Sequence, residues 1–316
     1  MREIPIFFSI DDGFAPFLSA ALASAVENCS KERTYKAIIL HQGVSEKNKV
    51  RLSALATDNF QIEFVEMQKG LESITNRSSN CMRFDFFTLT IYFRLFIASM
   101  FPEYDKGIYI DSDVVVLGDL AQLFDMNLGE NLIGACADKS VVDVDIFARY
   151  MEQAVGINRH KYINSGVLLM NLKALREQKF DKHFLSLLNE YHFESVAPDQ
   201  DYLNAICKDR ILYLDEAWDV MPCEGHTPVQ NAKIVHYNLF SKPWCYDEIP
   251  YGELFWKYVA KGGFEAEAKA HRRAYTNEHR EADKLCLKRM LERAEEICRM
   301  SVTFRNIAEG GVQIAL

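Results

Sequence analysis

Short, nearly unbroken apolar runs alternate along the chain with longer segments in which apolar residues return every three or four positions. The short runs predict strands buried on both faces and the longer ones helices packed against them, so the alternation predicts an α/β sheet. Strands are expected at Ile4 to Ile10, Lys36 to His41, Gln61 to Val65, Gly107 to Ile110, Leu132 to Ala137, Val167 to Met170, Ile211 to Leu214 and Ile234 to Tyr237, with Val114 to Val116 extended. Helices are expected from Phe14 to Cys29, from a Ser45 cap onward, from Thr88 to Met100 before Phe101-Pro102, and behind an Asp199 cap. Thr75 to Asn80 reads as a polar stretch. No repeat or long linker interrupts this pattern, which predicts one domain over residues 1–260 and a separate helical extension over 261–316.

The extension has its own period. Leu287, Met290, Leu291, Ala294, Ile297 and Cys298 recur at helical spacing between Ala266 and Met300, with Arg289, Arg293, Glu295 and Glu296 interleaved. Such an amphipathic helix can dock on the domain, pair with a second copy, or lie on a membrane surface. Charge sharpens the contrast: the whole chain is −9, residues 269–316 are +3, and the rest is −12. The acidic body argues against a general nucleic-acid binder, because phosphate neutralisation needs clustered cations. The eight cysteines stand singly, without zinc-ligand spacing, and read as reduced apolar fillers. The first apolar run is too short for a signal peptide and no window approaches a membrane span of about 20 apolar residues. A cytoplasmic protein is expected, with peripheral membrane contact or self-association through the tail left open.

Candidate chemistry gathers at predicted strand ends. Asp111-Ser112-Asp113 follows Gly107 to Ile110, and two carboxylates so close invite a cation, since like charges disfavour joint ionisation. Open α/β sheets bind ligands at the carboxyl ends of their strands, and oxygen ligands suit Mg²⁺ or Mn²⁺. Asp11 and Asp12 end the first strand, Asp138 ends a later one, and Asp199-Gln200-Asp201 opens a helix. His236 is a candidate third ligand, and Lys242-Pro243-Trp244 offers a cation on a rigid turn, suited to a phosphate. Asn164-Ser165-Gly166 sets an amide just ahead of a strand, where its donor and acceptor can bond sugar hydroxyls.

The ordered set Ile10-Asp11-Asp12-Gly13-Phe14, Tyr92-Phe93-Arg94-Leu95, Tyr109-Ile110-Asp111-Ser112-Asp113, Tyr162-Ile163-Asn164-Ser165-Gly166-Val167, Asp199-Gln200-Asp201-Tyr202-Leu203-Asn204 and His236-Tyr237-Asn238-Leu239-Phe240-Ser241-Lys242-Pro243-Trp244 resembles glycosyltransferase family 8. The resemblance implies a GT-A type, Rossmann-like mixed sheet flanked by helices. It further implies a retaining hexosyltransferase that moves glucose or galactose from a UDP-sugar to a glycan, glycolipid or cell-surface polymer acceptor, with Mn²⁺ or Mg²⁺. On that likeness Asp111, Asp113 and His236 hold the metal, and Asp11 contacts uracil with Ser9 or Ile10 lining the pocket. Ser112 approaches the ribose and Lys242 steadies the diphosphate. Arg94, placed among the nucleotide contacts, also neighbours the donor sugar with Asp138, Asn164, Asp199 and Gln200. Gln200 stands nearest the sugar's β-face, Asp199 holds hydroxyls, and Asp201 is the carboxylate a double displacement would recruit.

Two positions depart from the family pattern: Gly13 stands where Asn is common and Leu239 where Gly is common. Two other readings stay open at this stage. One is a haloacid-dehalogenase type phosphatase, whose strand-end D-x-D resembles Asp111-Ser112-Asp113. The other is a non-catalytic nucleotide-sugar binding or scaffold protein.

Overall fold

The structure, a computed structural model, describes residues 3–67, 89–222 and 229–316. Nine strands appear among them: β1 Ile4–Ile10, β2 Tyr35–His41, β3 Phe60–Glu66, β4 Gly107–Ile110, β5 Val114–Val116, β6 Ile133–Ala137, β7 Ile163–Met170, β8 Ile211–Tyr213 and β9 Ile234–His236. The α-helices among them are α1 Ala15–Asn28, α2 Glu46–Ser53, α3 Ile97–Met100, α4 Leu120–Phe124, α5 Asp145–Tyr150, α6 Leu172–Glu177, α7 Phe180–Tyr191, α8 Pro198–Ile206, α9 Gly252–Lys261, α10 Glu265–Ala274, α11 Asn277–Ile297 and α12 Phe304–Glu309.

Seven strands form one sheet in the order β3-β2-β1-β4-β7-β6-β8, and β5 and β9 pair separately. All neighbours in the large sheet run parallel except β7, which is antiparallel to both β4 and β6. Strand side chains alternate between two cores, as the period of two requires. Phe7, Ile38, Leu40, Tyr109, Leu168 and Met170 pack on one face with α7, α8 and α11, whereas Ile6, Phe8, Ile39, Ile108, Ile110 and Leu169 pack on the other with α1, α9 and α10. The unbroken apolar runs in the sequence are the consequence of both faces being covered.

Several expected elements need correction. Ser45 caps α2 by accepting from the Asn48 N–H at 3.4 Å, as expected. The segment expected as a helix from Thr88 instead forms a 3₁₀ helix over Leu89–Leu95 before the single turn of α3, and Thr88 itself lies outside the described residues. Thr90, Ile91, Tyr92 and Phe93 are β-branched or aromatic, poor at holding an α-helix, and Arg94 folds back to donate to the Ile91 carbonyl at 3.1 Å. The Thr75 to Asn80 stretch, Cys81 and Cys223 also lie outside the described residues. Asn164, Ser165 and Gly166, expected ahead of a strand, are inside β7, which begins at Ile163. Asp199 is not a cap: Ala197 takes that position, Pro198 opens the helix, and Asp199 sits in the first turn.

The stretch from Ala266 to Met300, expected as one helix, is two, α10 and α11, broken where the Thr276 N–H donates to His279 Nδ1 at 3.2 Å and starts a new helix. Cys286, Met290, Ala294 and Ile297 are buried in the β6–β7 side core, so this helix docks on the sheet-bearing body. Leu287, expected on the buried face, is 38% exposed. Its place in the core is taken by Cys286, one residue earlier and four before Met290. Among the described residues no helix is long and apolar enough to cross a membrane.

Candidate active site

The reversed direction of β7 builds the site. Because β7 runs against its neighbours, its first residues lie at the same sheet edge as the carboxyl ends of β1, β4 and β6. The Asp111 N–H donates to the Gly166 carbonyl at 2.7 Å, and the Asp138 N–H to the Tyr162 carbonyl at 2.8 Å. Acids ending β4 and β6 thus flank Asn164, Ser165 and Gly166. The small β5–β9 sheet delivers the remaining pieces: Val114 pairs with His236, and the Tyr237 N–H donates to the Asp113 carbonyl at 2.9 Å.

Asp111, Asp113 and His236 can each offer a ligand atom within 4.8 Å of the others. His236 Nε2 is 3.3 Å from Asp113 Oδ1 and 3.8 Å from Asp111 Oδ2, while its Nδ1 is 3.0 Å from Asp219 Oδ1. Lys242 Nζ pairs with the other oxygen of Asp113. Burial would push the His236 imidazole down, but Asp113 and Asp219 outweigh it and hold it up to about 10. Burial raises Asp113, yet Lys242 and His236 pull its carboxyl well below the usual range. Two acids, an imidazole and a lysine therefore form a balanced charge cluster, in which a divalent cation can replace the imidazole proton. Gly166 keeps its centre open. A Cβ there would lie 2.2 Å from His236 Cε1 and 2.8 Å from Asp111 Oδ2. The hard and borderline ligand set and the space that only a glycine leaves fit a divalent metal.

Beside this cluster lies a buried polar network. The Arg94 guanidinium donates to Asp111 Oδ1 at 2.8 Å and to the Ser165 carbonyl at 2.5 Å, and its Nε is 3.2 Å from Asp199 Oδ2. Its plane covers the Tyr109 ring at 4.3 Å, and the Tyr109 hydroxyl donates to Asp111 Oδ1 at 2.7 Å. Ser165 donates through its hydroxyl to Asp199 at 2.9 Å and through its N–H to Gln200 Oε1 at 3.1 Å. Gln200 Nε2 and Asn164 Nδ2 both donate to Asp138 Oδ2 at 3.0 Å. This locks the Gln200 amide in one orientation, oxygen toward β7 and nitrogen toward Asp138. Asp201 is not part of the gathering. It is fully buried on the far side of α8, where it accepts from the Tyr150 and Tyr162 hydroxyls at 2.5 Å each and from Ser195. Burial lifts its carboxyl to about 6 despite those three donors.

A cavity of about 310 Å³ opens over the cluster. Ser9, Ile10, Asp11, Arg94, Ser112 and Lys242 all line it. Asp11 Oδ1 is engaged by the Phe14 N–H at 3.1 Å, across the turn that contains Gly13. Leu239, standing where glycine is common, has φ +49° and so adopts the left-handed backbone regardless. The tail supplies a wall that sequence reasoning missed: Tyr275 and Asp283 line the cavity, and Asp283 accepts from the Tyr246 and Tyr275 hydroxyls at 2.5 Å each. Asp219 was missed as well. Its only signal was a charged residue inside the apolar run Trp218-Asp219-Val220-Met221, where a buried acid needs a partner.

A sheet with one reversed strand, an Asp-x-Asp at its central strand end and a histidine returned to it define a glycosyltransferase of the GT-A fold. The profile of glycosyl transferase family 8 matches residues 5–248, and the chain belongs to that family. It is 25% identical over 224 residues to a putative glycosyltransferase of Haemophilus influenzae, covering 71% of this chain and 65% of that one. General stress protein A of Bacillus subtilis is 27% identical over 271 residues, covering 79% and 91%. Among solved structures, the galactosyltransferase LgtC in complex with donor and acceptor sugar analogs has a TM-score of 0.69 at 26% identity, covering 82% of this chain and 96% of that one. The apo WbbM bifunctional glycosyltransferase has a TM-score of 0.74 at 25% identity, covering 86% of this chain and only 52% of that one. The family assignment removes the phosphatase alternative. Here the acidic pair ends a central strand with three strands and three α-helices before it among the described residues, whereas a phosphatase of that type opens on the motif.

Proposed function

We propose that this glycosyltransferase is a retaining enzyme that transfers a hexose, glucose or galactose, from a UDP-sugar to a glycan, glycolipid or cell-surface polymer, with Mn²⁺ or Mg²⁺ held by Asp111, Asp113 and His236. The observation that carries the reading is the convergence of Asp111, Asp113 and Lys242 on one cavity that reaches Asp11, with the buried His236 within ligand distance of the two acids. Likeness to a structure holding donor and acceptor sugar analogs supports it.

A divalent cation there would supply positive charge against the diphosphate of the leaving nucleotide. Lys242 would add a second cation on the same side, where negative charge grows as the glycosidic bond breaks. Asp11, with Ser9 and Ile10, would take the base, and Ser112 would face the ribose. Arg94 would hold the Asp111 and Asp199 carboxylates in place, since its guanidinium is already spent on them and on Ser165. Asp138, Asn164 and Asp199 would fix sugar hydroxyls. Gln200, whose amide is a poor nucleophile and is pinned at both ends, would border the β-face and stabilise the positively charged sugar. With Asp201 enclosed under Tyr150 and Tyr162, acceptor attack on the face the diphosphate leaves, with a phosphate oxygen taking the proton, is favoured over a covalent intermediate.

The test is UDP release from a panel of UDP-sugars, with Mn²⁺ and with chelator, water standing in for the acceptor. Metal-dependent release from one hexose donor, lost in Asp113→Ala, is expected. UDP binding without release from any donor and with any glycan acceptor would favour the non-catalytic alternative, and activity retained in Asp113→Ala would overturn the metal assignment.

A further inference from the structure

Asp219 lies one residue before Val220, which bridges to Val235 next to His236, so β9 and the Asp219 segment are held at fixed distance. The His236 N–H donates to the Val220 carbonyl at 2.8 Å, fixing the histidine backbone against the same segment. Between side chains, Asp219 Oδ1 meets His236 Nδ1 at 3.0 Å. Asp219 Oδ2 is buried and has no hydrogen-bond partner among the described residues. A carboxylate 4% exposed, with one oxygen unsatisfied, is a poor structural choice, since a buried charge with a single partner loses more hydration than one hydrogen bond returns. The imidazole is its one side-chain partner there.

Asp219 cannot itself share a metal with Asp111 and Asp113, because the imidazole stands between them: Nδ1 faces Asp219 while Nε2 faces the two other acids. We propose that Asp219 is a positioning residue, which keeps the ring proton on Nδ1 and turns the Nε2 lone pair toward Asp111 and Asp113. This rests on reading His236 as a metal ligand. With a cation bound, the imidazole would serve as the neutral base through Nε2, that nitrogen's proton being released to solvent, while Asp219 would hold the Nδ1 proton. Carboxylate partners of ligating histidines act in this way generally, and losing one typically lowers metal affinity 10–100-fold. Gly166 completes the device by leaving the ring no substituent to push against, its Cβ position lying 2.2 Å from His236 Cε1.

The experiment is Mn²⁺ titration of the full chain without donor, followed by electron paramagnetic resonance, on the native protein and on Asp219→Asn, Asp219→Ala and His236→Gln, with melting temperatures alongside. Asp219→Asn keeps the shape and removes the charge. Its Mn²⁺ affinity is expected to fall 10–100-fold while its melting temperature stays level or rises. Donor hydrolysis by this variant should recover as Mn²⁺ is raised to saturation, which a general structural defect would not allow. If Asp219→Asn binds Mn²⁺ within twofold of native while His236→Gln does not, the positioning role is overturned and the metal site stands. If His236→Gln also binds as native, the metal-site reading itself falls. Asp219→Asn decides the matter should Asp219→Ala fail to fold.

Discussion

Replacing Gly166 with alanine adds one methyl group at the centre of the site. Its carbon would stand 2.2 Å from His236 Cε1, 2.8 Å from Asp111 Oδ2 and 2.9 Å from His236 Nδ1. Ordinary carbon contacts lie near 3.5–4.0 Å, so the ring or the strand must move by about 1.3 Å or more. Neither has slack: His236 is buried and tied to Asp219, and β7 is paired on both edges. A misplacement of about 1 Å in a reacting constellation costs on the order of 100-fold in rate, and overpacking of this kind about 1–3 kcal/mol in stability. Gly166→Ala is therefore expected to lose about 100-fold in metal-dependent UDP release, with weakened Mn²⁺ binding and a modest drop in melting temperature. Gly134→Ala in β6 is the control, because its Cβ would meet leucine side-chain carbons at 3.2–3.4 Å, which can shift. Turnover and Mn²⁺ affinity within threefold of native in Gly166→Ala would refute the reasoning and place His236 elsewhere in the working enzyme.

Gln200→Ala is expected to cut turnover about 100-fold while UDP affinity, measured calorimetrically, changes little; weakened UDP binding with normal turnover would misplace Gln200. Asp201 titrates near 6 in the fold against 3.8 when exposed, so the folded chain holds the extra proton between those values, and its contribution to stability falls as pH rises through that window and stays lost above it. Asp201→Asn removes the effect: the native chain should gain up to about 3 kcal/mol relative to the variant on going from pH 7 to pH 4 in denaturant titrations. A pH-independent difference would show that the fold leaves the Asp201 carboxyl unshifted.

Strand positions were readable because both sheet faces are buried, which prints each strand as a short apolar run with little alternation to confuse it. The gathering of Asp111, Asp113, Asp138 and His236 was readable because charged groups at the ends of such runs have few structural reasons to be there. Strand direction was not: nothing in Val167-Leu168-Leu169-Met170 says that β7 runs backward, and the non-apolar Asn164, Ser165 and Gly166 cut the apolar run short of the strand's start at Ile163. The 3₁₀ path of Leu89–Leu95 was hidden too, since it is held by Arg94 reaching residues 71 and 105 positions away, Ser165 and Asp199. Leu287 was misplaced because helical spacing fixes which residues share a face but not which face meets the body, and Cys286, read as a filler, turned out to mark it. Asp219 was overlooked since a lone acid announces itself only through its partner.

The reversal of β7 divides its eight residues by kind of consequence. Along β1, β4 and β6 the residues proposed to serve the reaction sit after the last residue of the strand, at Asp11, Asp111 and Asp138. Along β7 they sit near its start, Asn164 to Gly166, and the last four, Val167 to Met170, are core side chains alone. In an exhaustive substitution survey, kinetic defects in well-folded protein should cluster at the start of this strand and abundance defects at its end, the mirror image of its neighbours. That inversion can be observed in living cells without knowing the acceptor.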